Sequence, residues 1–597
     1  MIKILKNFFS ILSKDQLKFF YKLQILIAIS SLLEIASIGF LALYLSNILN
    51  VGTFFSFFKD ISYISDFSES EIVLILSSIL ILLFLISTIT NILSIKYQNS
   101  FMNYVGSDFS QRLYNFYLNQ NYLYFVDNDI NFIFKKITAD VQRFTDQFLR
   151  GLVTALSKIL ICFLIFTVLL IYNLKITLIV FFLLFFFYAL TVKLFKKKID
   201  RSGKEITFQQ GLIYDYISNT FAGIREAIYY DRKKFLKEQV KKNLNAMAHN
   251  LISIKTIGSI PKYIIELVSF SILIIIISIL TINSLADNII LNLAIFGSAG
   301  YKLLPAMQAI YYSLTDLYGH RDSFEAMYPE LKDDKFNNQN LRSDTLDKKK
   351  INKISSIKFK DVSFSYKKSL TINKVDLVFE NNQKIGIVGK SGSGKSTIID
   401  LLLGFIKPDK GSILFNNEEM KLLSIKSIRS LIGFVSQGIF LFNDTISKNI
   451  SIDKLYDRKL IEKLSRICLI DDFLKDNNID IERDKIGNYG KSLSGGQKQR
   501  IGIARALYNN PKVLILDEAT SALDSMNQNK ILSNIFQYTE VKIIILITHN
   551  TSLLKSFDNI FVLDEGSIVS EGDYDKLSAR SLLFKELSID KEFNKKI

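Results

Sequence analysis

The sequence predicts a membrane α-helical bundle of six transmembrane helices fused to an α/β domain built around a phosphate-binding loop. Three observations carry that expectation. Long apolar runs fill residues 1–320. Short apolar strands alternating with helical patterns fill 350–597. Between one such strand and one such helix stands the glycine-rich run GKSGSGKST at 389–397. At 597 residues the chain is too long for one ordinary domain. The expected division is 1–330 for the membrane part with two cytosolic loops, 331–353 for a polar linker, and 354–597 for the nucleotide-binding domain.

Six segments are apolar over the roughly 20 residues a helix needs to cross a bilayer. They are 23–48, 72–96, 149–172, 176–195, 263–283 and 289–313, the third and fourth joined by the tight turn YNLK at 172–175. Lys14, Lys18 and Lys22 precede the first span. Lys193, Lys196, Lys197, Lys198 and Arg201 gather at the end of the fourth. The 49–71 loop has more acids than bases, and 284–288 has no basic residue. Basic residues collect on the cytoplasmic side of membrane proteins, so both termini and the long spacers 97–148 and 196–262 belong in the cytoplasm. The expected location is the bacterial cytoplasmic (inner) membrane, with the chain crossing it several times.

The net charge of +17 would suit nucleic acid. No nucleic-acid motif accompanies it, and the same charge follows from the cytoplasmic lysines, so no nucleic-acid partner is expected. The two cysteines, Cys162 and Cys468, fall in an apolar span and in the α/β part. They form no disulfide framework and suit a reducing cytosol. The N-terminus, MIKILKNFFSILSKDQLKFFYK, lacks a small-residue cleavage site. It is expected to be a retained amphipathic helix lying on the membrane surface.

Both long spacers carry helical periodicity, with Tyr122, Phe125, Ile130 and Ile133 in the first and Ile224, Ile228 and Phe235 in the second. In the first outside loop Phe54, Phe57, Phe58, Ile61 and Ile64 make one apolar stripe, expected as a short helix in the outer leaflet or against the first two spans. Charges inside the spans cost about 2.5–3.5 kcal/mol each at mid-helix. Glu34, Lys158, Lys262 and Lys302 are therefore singled out. Glu34 suits an internal hydrogen bond, and Lys158 suits snorkelling or an acid partner. Lys302, deep in GSAGYKLLPAMQ among small residues, is the best candidate to meet a substrate phosphate, with Lys262 second.

The run IGIVGKSGSGKSTIIDLLLG reads as strand, loop and helix. Gly389, Gly392 and Gly394 let backbone N–H groups of the loop, Lys390, Ser391 and Ser393 included, approach phosphate oxygens, and the helix N-terminus adds its positive end. Lys395 reaches the β- and γ-phosphates, Ser396 offers its hydroxyl to Mg²⁺, and Thr397 follows in the first turn. KVLILDEATSALD is a buried strand ending in Asp517 and Glu518. Asp517 belongs near Mg²⁺, and Glu518 can polarise an attacking water as general base. His549 follows the strand IIILIT and can contact the γ-phosphate. Gln437 lies in VSQ and can contact the metal. Ser494, Gly495, Gly496 and Gln497, in LSGGQ, open a second helix N-terminus suited to an anion.

These five motifs, which stand in the chain as GKSGSGKST, VSQ, LSGGQ, LILDEATSALD and ITHN, resemble the ATP-binding cassette (ABC) transporters, and the two long inside spacers resemble the exporter type. The resemblance implies ATP and Mg²⁺ as cofactors, ATP hydrolysis coupled to transport, and Tyr366 stacking on adenine. It implies that LSGGQ caps ATP held by a partner's glycine loop, with Asp524 crossing the interface of a homodimer. Short coupling helices are implied near 121–130 and 218–230. The chain departs from the family pattern at Asn488, where an acid is usual, and at Asn550, where Arg is common.

Within the exporters, the outside stripe, IPK (260–262), YKLLP (301–305) and ITAD (137–140) resemble bacterial flippases for lipid-linked oligosaccharides. That resemblance implies a polyprenyl-pyrophosphate glycan as substrate, membrane phospholipids as surroundings, and Lys262 and Lys302 at the pyrophosphate. Ser87 stands where a further basic residue is expected. The alternatives are a general lipid, drug or peptide exporter, and an ATP-gated channel or sensor, against which intact Glu518 and His549 argue.

Overall fold

The structure is a computed structural model. It describes residues 2–49, 69–282, 289–340, 348–367, 369–452, 455–476, 478–487, 490 and 492–593. The apolar stripe expected at 54–64 and the departure at Asn488 lie outside the described residues. Two compact units form, Met1–Gln120 with Tyr124–Gln339, and Asn121–Leu123 with Asn340–Ile597.

The first unit is helical. Helix α1 spans Ile2–Ile11, α2 Lys14–Leu49 and α3 Glu69–Leu118. Two short helices follow, α4 at Tyr122–Asp127 and α5 at Ile130–Lys135. The chain then alternates π and α turns to Leu149, with ITAD inside the π turn Lys136–Asp140. Helix α6 spans Arg150–Tyr172 and α7 Leu174–Ala222. The short α8 covers Ile224–Tyr229, followed by α9 at Lys233–Ile282, α10 at Ile289–Gly319 and α11 at Arg321–Asn340.

Lys14–Leu41, Val73–Leu118, Ile130–Tyr172 and Leu174–Ala222 are long and apolar enough to cross a membrane. The fifth and sixth expected spans fall on α9 and α10. Helices α3 and α9 hold 50 residues each. At 1.5 Å per residue that is about 75 Å, more than twice the roughly 30 Å hydrocarbon layer. The helices therefore run well past the membrane. Asn173 makes the hairpin between α6 and α7, its side chain accepting from Ile176 N at 3.2 Å. The expected short helices at 121–130 and 218–230 correspond to α4 and α8.

Two expectations need correction. Helix α1 is amphipathic, but its apolar face is covered by protein. Ile4, Phe8, Ile11 and Leu12 are buried, with the Phe8 ring 5.7 Å from Phe144 and 6.2 Å from Phe324. Phe8 lies in a cluster of aromatic side chains from other helices, while Lys3 and Lys6 stay exposed. The stretch 331–353, expected to be a solvated tether, begins as helix: α11 runs to Asn340, anchored by buried Leu331.

The second unit holds two sheets. Strands β1 (Ser356–Tyr366), β2 (Ser369–Glu380), β4 (Lys410–Phe415) and β5 (Glu418–Glu419) form an antiparallel sheet ordered β2-β1-β4-β5. Strands β3 (Gln383–Gly389), β6 (Ile432–Val435), β7 (Val513–Asp517), β8 (Ile543–Ile547), β9 (Asn559–Asp564) and β10 (Ser567–Gly572) form a sheet ordered β10-β9-β3-β8-β7-β6. All of its pairs are parallel except β9 with β10. Strand β8 is buried along its whole length, as expected of a parallel strand covered on both faces. Within this unit Tyr122 packs at 5.4 Å on Phe405, and Leu123 lies against the core.

In the helical unit Gly203 permits a close approach, because a Cβ there would stand 2.2 Å from Gly319 O. Gly203→Ala is expected to force α7 from the end of α10 and to cost about 1–3 kcal/mol. A lowered thermal midpoint of the full chain in detergent, against a Gly211→Ala control, checks it.

Candidate functional site

The carboxyl ends of the parallel strands place the site. Register sets Ile387 of β3 beside Ile547 of β8, and Ile547 beside Asp517 of β7. The residues that follow these positions therefore emerge at one edge: the glycine-rich loop after β3, Glu518 after β7, and His549 after β8. Ligands in open α/β sheets bind at this edge.

The loop leads from β3 into helix α12, Lys395–Leu402. Gly394 is its N-cap at φ 103°. A Cβ there would strike Ile372 at 2.7 Å, and an L side chain at that φ would be strained as well. The Lys395 ammonium is buried and donates to Gly389 O and Lys390 O, each at 2.8 Å. These bonds curl the loop round the lysine. Burial pulls its pKa down, opposed by Glu518 and Asp517. Ser393 Oγ is buried with no hydrogen-bond partner, an orphan that an anion in the loop would satisfy. Ser391 and Ser396 are exposed, and Thr397 is buried. Gly392 has φ 81°.

Glu518 is the junction of the site. Its carboxylate accepts from Gln437 Nε2 at 2.8 Å and stands 2.9 Å from His549 Nε2. Its backbone is left-handed, at φ 51°, and its N–H donates to Ile547 O at 3.0 Å. A non-glycine residue in that region costs on the order of 1–3 kcal/mol, a strain characteristic of functional positions. Beside it, Asp517 has its pKa pushed up to about 6 by burial, then by the charges of Glu518 and Asp400, against the pull of Lys395.

Among the described residues no three or more His, Cys, Asp or Glu are arranged to hold a metal. Mg²⁺ keeps several waters and takes further oxygens from nucleotide phosphates. Ser396, Asp517 and Gln437 are the residues that would face it. Tyr366 ends β1 half-buried, its hydroxyl 3.4 Å from Asp400 Oδ2 of α12. The aromatic ring thus lies beside the helix that follows the phosphate loop.

The LSGGQ segment begins helix α13, Gly495–Leu507. Ser494 and Gln497 form a capping box: Gln497 N donates to Ser494 Oγ at 3.3 Å, and Ser494 N donates to Gln497 Oε1 at 2.8 Å. Gln497 is therefore committed to shaping the turn, while Ser494 and Gly495 stay exposed. Asp524 caps the next helix, α14 (Ser525–Phe536), accepting from Asn527 N at 2.9 Å. A carboxylate has about four acceptor positions, so capping leaves capacity for a further donor.

Gln499 was not singled out by the sequence. It is buried, its amide donates to Glu518 O and Ser521 Oγ at 3.3 Å, and its Oε1 accepts from Ala522 N at 3.0 Å. It ties α13 to the turn that carries Glu518. The only signal was a polar residue on the otherwise apolar inner face of GGQKQRIGIARAL.

In the helical unit Lys302 and Glu34 are partners. Lys302 Nζ lies 2.5 Å from Glu34 Oε1, joining α10 to α2. Both were singled out, but as separate groups. Lys262 lies 5.7 Å from the Tyr263 ring. Among the described residues no contact joins Lys262 to Lys302. Ser87 is buried.

A phosphate loop, a strand-end acid pair, a strand-end histidine and a second anion-binding helix, carried beside a helical membrane unit, define the class of ATP-binding cassette membrane proteins. Comparison with known proteins narrows this. The ABC transporter transmembrane region family matches residues 24–296, and the ABC transporter family matches 372–521. The chain belongs to the ABC exporters, as a half-transporter with one membrane region and one ATPase domain. It is 43% identical over 244 residues to a putative export ATP-binding/permease protein of Rickettsia bellii, covering 40% of this chain and 42% of that one. It is 36% identical over 248 residues to an ATP-dependent lipid A-core flippase of Photorhabdus laumondii, covering 40% and 42%. The chain thus spans about two fifths of the length of the curated relatives it matches. A solved bacterial Atm1-family ABC exporter with ATP bound shares the fold, with a TM-score of 0.73 at 20% identity over 94% of this chain and 97% of that one.

The raised pKa of Asp517 gives a pH dependence. Below about 6 the carboxyl holds a proton, and the neutral group would attract a Mg²⁺ placed near it less strongly. Mg²⁺-dependent nucleotide affinity is expected to be full above that value. It should fall up to about tenfold for each pH unit below it. Titration at pH 5, 6 and 7 should show a steeper slope for the unaltered chain than for Asp517→Asn, which retains only the slope of the nucleotide itself.

Proposed function

We propose that the chain hydrolyses ATP as one half of a homodimer in the bacterial cytoplasmic membrane. The work is to flip a lipid-linked oligosaccharide from the inner to the outer leaflet, with both termini and the ATPase domain in the cytoplasm. The observation that carries the ATPase reading is the Glu518 carboxylate, strained into place and held between Gln437 and His549. A water placed beside it loses a proton to the carboxylate as its oxygen attacks the γ-phosphorus. The β–γ anhydride bond breaks, and ADP and phosphate leave. Lys395 and the loop N–H groups hold the phosphates, His549 contacts the γ-phosphate, and Ser396 and Asp517 are the residues that would hold a Mg²⁺, which would supply charge to offset that of the phosphates. Tyr366 supports the adenine.

The exposed Ser494 and Gly495 at the start of α13 support a shared site, because a helix N-terminus open to solvent is suited to a phosphate brought by a second copy. Two copies related by a two-fold then enclose two equivalent nucleotides. Closure follows ATP because the closed pair binds it more tightly than the separated one. The short helices α4 and α8 carry that movement to the membrane bundle.

A complementation experiment tests the shared site. Lys395→Ala lacks a working phosphate loop, and Ser494→Arg lacks a working cap. Each homodimer has two defective sites, but a mixed dimer has one intact site. Mixing the purified variants is therefore expected to restore hydrolysis that neither shows alone. No recovery in verified mixed dimers would mean that each chain completes its own site.

For the cargo, the supporting observation is the charged pair inside the bundle. Lys302 remains about a third exposed beside Glu34, and Gly297 and Gly300 have open space around them. A phosphate of the cargo can exchange with the Glu34 carboxylate for the same ammonium, with Lys262 as a second contact. A relative named as a lipid A-core flippase supports a lipid cargo of this general kind. Replacing both partners, Glu34→Gln with Lys302→Gln, avoids leaving an unpaired charge. This variant is expected to keep basal ATPase in liposomes and to lose most flipping of a fluorescent pyrophosphate-linked glycolipid. Undiminished flipping would remove Lys302 from the cargo site and favour a general lipid or drug exporter.

A further inference from the structure

The helical unit encloses a cavity of about 560 Å³ between α6, α7 and α10, within the roughly 300–1,000 Å³ typical of ligand sites. Its walls are almost wholly apolar: Ile159 and Phe166 from α6, Phe181 and Phe185 from α7, Leu303 and Met307 from α10. Its mouth is open to the surroundings of the bundle, since Phe185 is 58% exposed.

The cavity has one polar end. Cys162 and Tyr188 line it, and Tyr188 Oη is buried with no hydrogen-bond partner. Lys158 precedes Ile159 and lies one helical turn from Cys162, on the same face, close enough for its charge to act on the thiol. Lys158 is half-buried, and among the described residues no acid pairs with it. The hairpin explains why these groups meet. Lys158 and Tyr188 stand equally far in sequence on either side of Asn173, so two antiparallel helices bring them to one depth. The rest of the cavity runs from there toward the Asn173 turn, over at most about 22 Å.

One end therefore offers an orphaned hydroxyl donor, with the cation of Lys158 next to the lining residue Cys162 rather than in the wall itself, and the remainder offers hydrocarbon. An unpaired ammonium inside a bundle is costly until an anion meets it, and a buried hydroxyl without an acceptor costs about 1–3 kcal/mol. A lipid without a phosphate would satisfy only the hydroxyl, and in phosphatidylcholine the choline ammonium offsets the phosphate charge that Lys158 would meet. We propose that this cavity binds one acyl chain of an anionic phospholipid, with the phosphate on Lys158 and an ester carbonyl accepting from Tyr188. Neither Lys302 nor Glu34 lines this cavity, and the proposal does not depend on which cargo the protein moves.

The chain contains no tryptophan, so Phe185→Trp places a single reporter at the mouth. The full-length protein is reconstituted in nanodiscs of phosphatidylcholine doped with lipid brominated on its acyl chain. Brominated phosphatidylglycerol is expected to quench the reporter at a several-fold lower mole fraction than brominated phosphatidylcholine. Adding Lys158→Gln should bring the two curves together. Equal quenching by both lipids when Lys158 is present overturns the headgroup assignment, and that comparison stands even if the Lys158 variant does not fold. No quenching by either lipid overturns the proposal outright and means that another element, such as a second copy, covers the cavity.

Discussion

Three neighbouring strands that end level with one another are the constraint on which the ATPase domain depends. Pairing of β3, β8 and β7 in parallel register brings three chain segments, far apart in sequence, to a single edge. Slipping one strand by a residue would turn Asp517 to the opposite face and bury a carboxylate among the aliphatic side chains of β8. Strand β8 is apolar and buried on both faces, so the register is decided by the residues at the strand ends, where Asp517 must leave the core. The phosphate loop, the acid pair and the histidine are thus consequences of core packing as much as of their own chemistry. The strained backbone of Glu518 belongs to the same arrangement. Its N–H continues the ladder to Ile547 O while its side chain is turned out of the sheet.

The membrane unit meets a different constraint. Charges in a bundle survive when they are paired or when they reach water or headgroups. The Lys302–Glu34 pair satisfies the first condition and joins two helices 268 residues apart in sequence. Lys135 with Asp140, and Lys136 with Glu330, do the same where the helices extend beyond the apolar segments. Both of these pairs begin at or beside the π turn of ITAD, where one extra residue per turn re-aims side chains that a continuous α-helix would space differently.

Legibility followed the range of the interaction. Span lengths, the hairpin at Asn173 and the loop before Lys395 depend on local composition or on backbone geometry that only certain residues adopt, so they could be read directly. The short helices α4 and α8 were implied by the resemblance to ABC exporters, because periodicity in the long spacers reports helix without marking where it breaks. The partner of α1 was not, because an amphipathic stripe reports that a face must be covered without saying by what. Lipid and the ring of Phe144 satisfy Phe8 equally well on paper. Likewise Glu34 and Lys302 were each recognisable as anomalies, but nothing in either segment encodes the crossing of α2 and α10 that joins them. Gln499 escaped notice for a related reason: a glutamine in a helix is ordinary until its burial is known.

That buried glutamine bears on how the two ends of the nucleotide site communicate. Its amide holds Glu518 O and Ser521 Oγ, and its carbonyl holds Ala522 N, while its own backbone belongs to the helix opened by Ser494. Gly496 lies close enough to this turn that an added Cβ would stand 3.0 Å from Ala522 O. In the proposed shared site, the cap of one nucleotide and the base that attacks another are thus joined by hydrogen bonds within one chain. A shift of α13 on meeting a phosphate cannot be absorbed by slack between α13 and the 518–522 turn, because hydrogen bonds to buried groups are costly to leave unmade. It must move Glu518 or strain it further. In a two-fold dimer this couples the sites through chain segments that touch neither nucleotide's base. In that proposed dimer, binding at one site would alter the geometry of hydrolysis at the other through these same bonds.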